Sequence, residues 1–255
     1  RLVPTLLQPI SDTDRLTQGA TAREMLPFAV PIFLAGLGGL FSERAGVVNI
    51  GLEGMLILGM WFGAWGSINY GAWWGLAIGI AGGMIGGLLH AIATVTFQVD
   101  HIISGVAINI LAPAITRYLS EEIWESPTTS PRTSAVGDWD VPFLAGGTIF
   151  GWESPDWLLT ISKWEIWYLS DIAQLARGLL RGTSCVAIIA IALVPITAFV
   201  IWRSRFGLRL RICGEKPSAG EAQGINIIRY KYIAVIMSGG LAGLGGAFIS
   251  TELSG

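Results

Sequence analysis

Charged residues are scarce in this chain of 255 residues, at 13% of the sequence, whereas a soluble domain carries about 25%. Histidine occurs twice, and the two cysteines, Cys185 and Cys213, lie far apart without a CxxC spacing. The sequence therefore predicts neither a metal site nor a disulfide. It also lacks a GxxxxGK[ST] motif, which excludes ATP binding by a P-loop in this chain.

Apolar residues and glycine are abundant instead, with 52% hydrophobic residues and 34 glycines. They form several runs of roughly 20 residues, the length that spans a bilayer. We therefore predict an all-α, polytopic helical membrane protein with about six transmembrane helices. The predicted crossings are 25–40, 47–67, 72–97, 102–119, 183–202 and 232–249. The chain starts with Arg1 and ends directly after an apolar run, so we expect residues 1–255 to form a single, truncated transmembrane domain.

The distribution of charge predicts the orientation of these helices. Seven of the sixteen Lys and Arg residues lie within 203–231, whereas 120–181 holds nine carboxylates, four basic residues and six of the eleven tryptophans. The positive-inside rule places 203–231 in the cytoplasm and makes 120–181 a Trp-rich extracytoplasmic insertion. Counting crossings backward, the connection at 43–46 faces the cytoplasm. If 25–67 is instead one broken crossing, the N-terminal end is cytoplasmic.

The insertion 120–181 is too long for a simple loop. Its second half has capping-box spacing at Ser162 and Glu165, which predicts a helix. One face of this helix carries Trp164, Tyr168, Ile172, Leu175 and Leu179. Such a helix either lies in the outer membrane interface or belongs to a packed extracytoplasmic subdomain.

A polar stretch at 41–55 interrupts the apolar pattern with Glu43, Arg44, Asn49 and Glu53. Ionisable residues at membrane depth are functional candidates by default, and nearby glycines permit an unwound backbone. Glu43 and Arg44 could equally form a cytoplasmic turn. Asn49 and Glu53 are four residues apart and share one face if the segment is helical. They either line or gate a pathway, or form hydrogen bonds between helices.

Two further patterns predict local structure. The glycines at 75, 79, 83 and 87 recur every fourth residue, which favours a tightly packed helix face. The basic segment 203–231 has room for a short helix at 218–223, closed by Gly224. Taken as charge alone, this segment is a solvated connection that contacts anionic lipid.

Four blocks of sequence carry a resemblance to a known family. They are 41–55 (FSERAGVVNIGLEGM), 103–111 (ISGVAINIL), 206–226 (FGLRLR, then GE, then EAQGIN) and 238–247 (SGGLAGLGGA). In this order they resemble the permease subunit of bacterial ABC importers. The branch is that of the ribose, simple-sugar and branched-chain amino acid permeases, and the nucleoside or simple-sugar permeases are the most similar members.

The resemblance implies a multi-pass, non-catalytic subunit of the plasma (inner) membrane that translocates a small polar solute, a nucleoside or simple sugar. It also implies a second permease subunit, two cytoplasmic ATPases that bind the ATP, and an extracytoplasmic substrate-binding protein. The chain itself is expected to bind no cofactor and no nucleic acid, and to contact membrane lipid.

From their polar character within apolar segments, we expect Glu43, Asn49, Glu53 and Asn109 in the translocation region. The resemblance assigns roles to residues of the basic segment. The segment 203–231 is expected to be the cytoplasmic coupling loop that seats on an ATPase. The expected coupling residues are Gly214, Glu215, Glu221, Ala222, Gly224 and Asn226.

Two other classes of function remain as alternatives. A secondary transporter or channel needs intramembrane carboxylates or repeats, and Asp and Glu are almost absent from the other predicted spans. A membrane-embedded enzyme would have to use His90 or His101, and neither has a partner at ligand spacing in the sequence. We expect both histidines to lie at helix ends.

Overall fold

Helices make up most of the described chain. The computed structural model describes residues 19–139, 146, 148–149, 152–163, 172–173, 176–177, 180 and 183–253. The helices in these ranges are α1 (Gly19–Arg44), α2 (Leu52–Tyr70), α3 (Ala72–Ala91), α4 (His101–Trp124), α5 (Trp157–Ser162), α6 (Cys185–Arg203), α7 (Arg205–Glu215), α8 (Pro217–Ala222) and α9 (Ile227–Phe248). Short π-helical stretches, Ile92–Thr96 and Ile249–Leu253, extend α3 and α9. The predicted all-α class is confirmed.

Five helical segments in the described chain are long and apolar enough to cross a membrane. They are Met25–Arg44, Ala72–Thr96, His101–Trp124, Cys185–Arg203 and Ile227–Glu252. The sixth predicted crossing corresponds to α2, whose 19 residues span roughly 28 Å. Helix α2 carries Glu53 in its first turn and Asn69 near its end, and it is not among these five segments. It packs against α3, α4 and α9, so it meets protein rather than lipid on those sides.

Neighbouring residues give three helices a direction relative to α9. The adjacent pairs are Gly38–Ser238 and Pro31–Gly245 for α1, Gly59–Gly243 and Gly63–Ala247 for α2, and Gly87–Val235 and Gly79–Ala247 for α3. Helices α1 and α3 therefore run antiparallel to α9, and α2 runs parallel to it. Because α1 and α2 run in opposite directions, the alternative of one broken crossing over 25–67 is wrong.

Glycines bring α2, α3 and α9 into backbone contact, and we call this contact the glycine seam. A Cβ atom at Gly83 of α3 would lie 2.2 Å from the carbonyl oxygen of Gly239. A Cβ atom at Gly59 of α2 would lie 2.3 Å from the Cα of Gly243. The glycines predicted to form a packing face, at 75, 79, 83 and 87, are all buried here, which confirms that prediction.

The structure divides into two compact units. One holds Ala29–Val136 and Val186–Gly255, which include the glycine seam; the other holds the described part of Gly137–Cys185 and the start of α1 up to Phe28. The latter unit has four two-residue strands in antiparallel pairs. They are β1 (Asp138–Trp139) with β4 (Thr183–Ser184), and β2 (Thr148–Ile149) with β3 (Trp152–Glu153). Within this unit, Arg177 Nε and Asp156 Oδ2 form an ion pair at 2.8 Å.

Ser162 is the last residue of a short helix, and most of the helix predicted after it lies outside the described residues. Asp156 caps the N-terminus of α5, where its carboxylate accepts from the amide of Leu159 at 2.8 Å, and Ser162 is the last residue of that helix. Ile172 is 61% exposed. The other residues of the predicted aromatic face, Trp164, Tyr168, Leu175 and Leu179, lie outside the described residues.

Candidate functional site

The polar stretch forms a non-helical break between α1 and α2, which we define as residues 45–51. Helix α1 ends at Arg44, and Gly46 has a φ of +78°, a left-handed conformation that glycine adopts easily. The amide of Val47 donates to the carbonyl of Ser42 at 3.1 Å, while the Ser42 hydroxyl donates to the Val47 carbonyl at 2.6 Å. The side chains of Ala45 and Val47 are buried. The break is therefore an ordered element in which every second residue, Ala45, Val47, Asn49 and Gly51, is buried.

Asn49 ties the break to α9. Its side chain is 6% exposed, and its Nδ2 donates to the hydroxyl of the fully buried Ser238 at 2.9 Å. Its Oδ1 accepts from the amide of Gly51 at 3.1 Å, directly before α2 begins. Both the donor and the acceptor of this buried side-chain amide thus have hydrogen-bond partners. They constrain the backbone strongly, because leaving a buried polar group unpaired is costly in free energy.

Asn109 on α4 clamps the other end of the break. Its Oδ1 accepts from the amide of Gly54 at 2.8 Å, and its Nδ2 donates to the carbonyl of Ile50 at 3.0 Å. The first amides of a helix have no partner within the helix, so Asn109 supplies from a neighbouring helix what a capping residue would supply locally. Asn49 and Asn109, both predicted from sequence, thus act on the same break.

Both histidines of the chain bind the middle of the break. His90 is fully buried, with Nε2 3.2 Å from the carbonyl oxygen of Val48 and Nδ1 2.9 Å from the hydroxyl of Ser104. Because a carbonyl oxygen only accepts, Nε2 carries the hydrogen and Nδ1 accepts from Ser104. The amide of Val48 donates to His101 Nδ1 at 3.2 Å. His90 lies in the last turn of α3 and His101 starts α4, as predicted, but their role at the break was not foreseen.

Glu43 and Glu53 are exposed, unlike the two asparagines. Glu53 lies in the first turn of α2, where a carboxylate interacts favourably with the helix dipole. The shared helix face predicted for Asn49 and Glu53 is wrong, because α2 begins only at Leu52 and Asn49 belongs to the break. The site therefore combines two buried amides that hold the backbone with two carboxylates open to solvent.

The predicted coupling loop contains two helices. The short helix expected at 218–223 is α8, and Gly224 follows it with a φ of +75°. Of the predicted coupling residues, Gly214 is half-buried, and the exposed ones are Glu215, Glu221, Ala222, Gly224 and Asn226. Asn226 caps α9, accepting from the amide of Arg229 at 2.9 Å. The exposed α8 thus stands between two anchored helices.

Helix α7, which was not predicted, brings the coupling segment to the break. Ser204 caps it, accepting from the amide of Gly207 at 3.0 Å, and Leu210 and Cys213 are buried on its inner face. Burial raises the pKa of the Cys213 thiol. Near its end, a Cβ atom at Gly214 would lie 2.5 Å from the carbonyl oxygen of Arg44. The signal for α7 was present in Ser204 and in the helical spacing of Phe206, Leu210 and Cys213.

A cavity of about 790 Å³ opens between the break and the coupling segment. Its walls come from the break, the end of α3 with the connection to α4, and the segment from α8 to the first turns of α9. The lining residues are Val47, Val48, Ile50, Thr94, Val95, Gln98, Val99, Asp100, His101, Ile102, Pro217, Glu221, Ile227, Ile228 and Lys231. Together, the long helices, the interrupted backbone and this cavity define a multi-pass membrane protein with the features of a transporter.

Comparison with known proteins identifies the family. Residues 22–255 match the family described as branched-chain amino acid transport system / permease component, and the chain belongs to this family. Its multi-pass character and that family place it in the plasma membrane. No solved structure matches the chain.

Several curated relatives are named as ABC transporter permeases. A nucleoside permease of Lactococcus lactis subsp. cremoris is 32% identical over 240 residues, covering 91% of this chain and 67% of the relative. A guanosine permease of Bacillus subtilis is 34% identical, covering 90% and 66%, respectively. A putative glucose permease of Haloferax volcanii is 31% identical, covering 89% and 61%. The chain thus spans about two thirds of the length of these relatives.

Proposed function

We propose that this chain is the membrane-spanning subunit of an ATP-driven importer that carries a nucleoside or a simple sugar across the plasma membrane. Relatives named as nucleoside, guanosine and glucose ABC transporter permeases support this substrate class. The chain catalyses no reaction. It works with a second permease subunit, two cytoplasmic ATPases that bind ATP, and an extracytoplasmic substrate-binding protein.

The observation that carries this proposal is the shared cavity. Val47, Val48 and Ile50 of the break form one wall, and Pro217 and Glu221 of the proposed coupling helix α8 lie on another. A transporter driven from the cytoplasm needs its driven segment beside the part of the pathway that changes shape. The 790 Å³ space gives the segment from α8 to the start of α9 room to move against the break.

The proposed translocation residues divide into two roles. Asn49 and Asn109 shape the pathway by holding the break, since their amides are occupied by protein partners. Glu43 and Glu53 are exposed, and we assign their carboxylates to the water-filled route of the solute. In this way the interior amides give rigidity, whereas the carboxylates interact with the passing solute.

Two contacts carry motion of α8 towards the break. Gly220 of α8 packs on Ile227 at the start of α9, where a Cβ atom at Gly220 would lie 2.8 Å from the Ile227 side chain. Gly214, at the end of α7, contacts Gly46 in the break. A Cβ atom placed on Gly46 would lie 3.0 Å from the Cα atom of Gly214. A displacement of α8 by the ATPase therefore acts through α7 and α9 without a flexible linker.

Uptake in reconstituted vesicles tests the proposal. The full transporter is purified through a tag on this subunit and given radiolabelled guanosine or glucose with its binding protein. We expect the vesicles to accumulate the radiolabelled solute only when ATP is supplied on the side of the membrane that the ATPase subunits face. Accumulation should stop when the catalytic residues of those subunits are replaced. Accumulation that proceeds equally well without ATP, or without the ATPase subunits, would refute the importer assignment.

A charge reversal tests the coupling helix. Glu221 is exposed on α8, so Glu221→Lys should leave the fold intact and weaken ATPase attachment. The matched control is Glu121→Lys, an equally exposed carboxylate on α4. We expect co-purified ATPase and ATP-driven uptake to fall severalfold for Glu221→Lys alone. Normal co-purification and transport in that variant would exclude α8 as the docking element.

A further inference from the structure

Two arginines converge on one tryptophan at the end of α6. The guanidinium carbon of Arg211 lies 4.8 Å from the ring centroid of Trp202, and that of Arg44 lies 5.3 Å from it. Both distances are within the range of a cation–π interaction. Arg44 is the last residue of α1, Trp202 lies at the end of α6, and Arg211 comes from α7. We call these three residues the arginine–tryptophan cluster.

The cluster has an excess of positive charge that the described residues do not neutralise. No carboxylate in the described ranges lies within 4 Å of either guanidinium group, and Arg211 Nε is buried without a hydrogen-bond partner. Two cations that share one aromatic ring repel each other, and a buried donor without an acceptor is unfavourable. Arg44 is favoured by its place at the C-terminus of α1, but this does not apply to Arg211. The cluster therefore calls for an anion from outside the chain.

The position of the cluster identifies the class of anion. Two membrane-crossing helices, α1 and α6, end at this level, on the side of the basic segment that the positive-inside rule assigns to the cytoplasm. Trp202 is 54% exposed. Phe199 and Ile196, which precede it on α6 at intervals of three residues, are 63% and 53% exposed. An apolar stripe thus runs along α6 into the bilayer from a pair of cations at its surface. This combination matches an anionic phospholipid, with its phosphate at the surface and its acyl chains below.

We propose that Arg44, Trp202 and Arg211 bind the headgroup phosphate of an anionic phospholipid of the cytoplasmic leaflet. The guanidinium groups donate to the phosphate oxygens. The acyl chains lie along Phe199 and Ile196. Because Arg44 directly precedes the break, the bound lipid holds the end of α1 next to α7.

Quenching of tryptophan fluorescence by brominated lipid tests the site. The delipidated full transporter is titrated with phosphatidylglycerol brominated on its acyl chains, and Trp202→Phe defines the share of quenching at this tryptophan. Each basic residue near a membrane surface increases the affinity for anionic lipid about fivefold. Arg44→Gln or Arg211→Gln should therefore raise the half-quenching concentration about fivefold, and the double variant about thirtyfold. If the double variant does not fold, each single variant still gives the decisive comparison.

Arg209→Gln is the matched control. It removes one positive charge from the same helix, but Arg209 already has a partner, donating to the Tyr230 hydroxyl at 3.0 Å. We expect quenching unchanged within about twofold in this variant, weaker quenching by brominated phosphatidylcholine, and no displacement by inorganic phosphate.

Four results would overturn the proposal. They are equal quenching of wild type and Arg211→Gln, an equal loss in Arg209→Gln, displacement of the lipid by inorganic phosphate, or loss of subunit assembly with lipid binding unchanged. The last would make the cluster a protein contact.

Discussion

The glycine seam and the break both bring helices together, but by opposite means. In the seam, α2, α3 and α9 touch through their backbones because side chains are absent, as at Gly83 and Gly239. In the break, the helix stops, and side chains from neighbouring helices bind the backbone groups that this leaves free, as Asn109 does at Ile50 and Gly54. The seam is thus specified by shape, and the break by the positions of donors and acceptors.

The two regions meet on α9. Ser238 accepts from Asn49 of the break, and the next residue, Gly239, lies against Gly83 in the seam. The irregular backbone is therefore fixed to the glycine seam. A transporter has use for this arrangement, because a rigid seam gives a moving segment a fixed reference. The comparison predicts that the seam fails when atoms are added, whereas the break fails when polarity is removed.

Gly83→Ala should have the largest effect. The new Cβ would lie 2.2 Å from the Gly239 carbonyl oxygen and 2.6 Å from the Gly243 Cα, so α3 and α9 must separate. Overpacking of this kind typically costs about 1–3 kcal/mol, and we expect the upper end because only backbone atoms surround the site. Gly36→Ala on α1 is the control, since nothing lies within 4 Å of its Cβ. Melting temperatures in detergent should fall for Gly83→Ala and hold or rise for Gly36→Ala; equal values would mean that the seam is loose.

The seam could be predicted from sequence because its signal is local. Glycines at every fourth residue of α3 lie on one face, whatever they pack against, and in a membrane such a face packs on another helix. The approximate positions of the crossings followed in the same way from the lengths of apolar runs. Neither inference required knowledge of which residues meet.

The structure of the break could not be predicted to the same depth. The sequence showed polar residues in an apolar region, but Asn49 and Ser238 are 189 residues apart, and a single sequence carries no record of their contact. Assuming a continuous helix gave Asn49 and Glu53 the same environment, although one is buried and the other exposed. Helix α7 was missed because its arginines were counted only as topological charge, while Leu210 and Cys213 on its other face are buried.

Asn49→Ala should have the next largest effect, through lost polarity. The change leaves the buried Ser238 hydroxyl and the Gly51 amide without this partner, and we expect a total cost of about 1–3 kcal/mol, towards the middle of that range. Asn69→Ala is the control, because Asn69 is exposed and binds only the Trp65 carbonyl of its own helix. A double-mutant cycle with Ser238→Ala should give a coupling free energy of about 0.5–3 kcal/mol in thermal unfolding. Additive effects of the two substitutions would show that this hydrogen bond does not anchor the break.

Asn109→Leu should have a smaller and more local effect. It keeps the approximate size of the side chain but removes the acceptor for Gly54 and the donor to Ile50, at a half-buried site where water can replace part of what is lost. We expect about 1 kcal/mol of destabilisation, with faster hydrogen exchange in peptides covering 45–54 and no change in the seam peptides of α9. Thr116→Ala on the same helix is the control, since the Thr116 hydroxyl binds the Ala112 carbonyl within α4. If exchange at 45–54 rose equally in both variants, the break would depend on the general stability of α4 and not on the amide of Asn109.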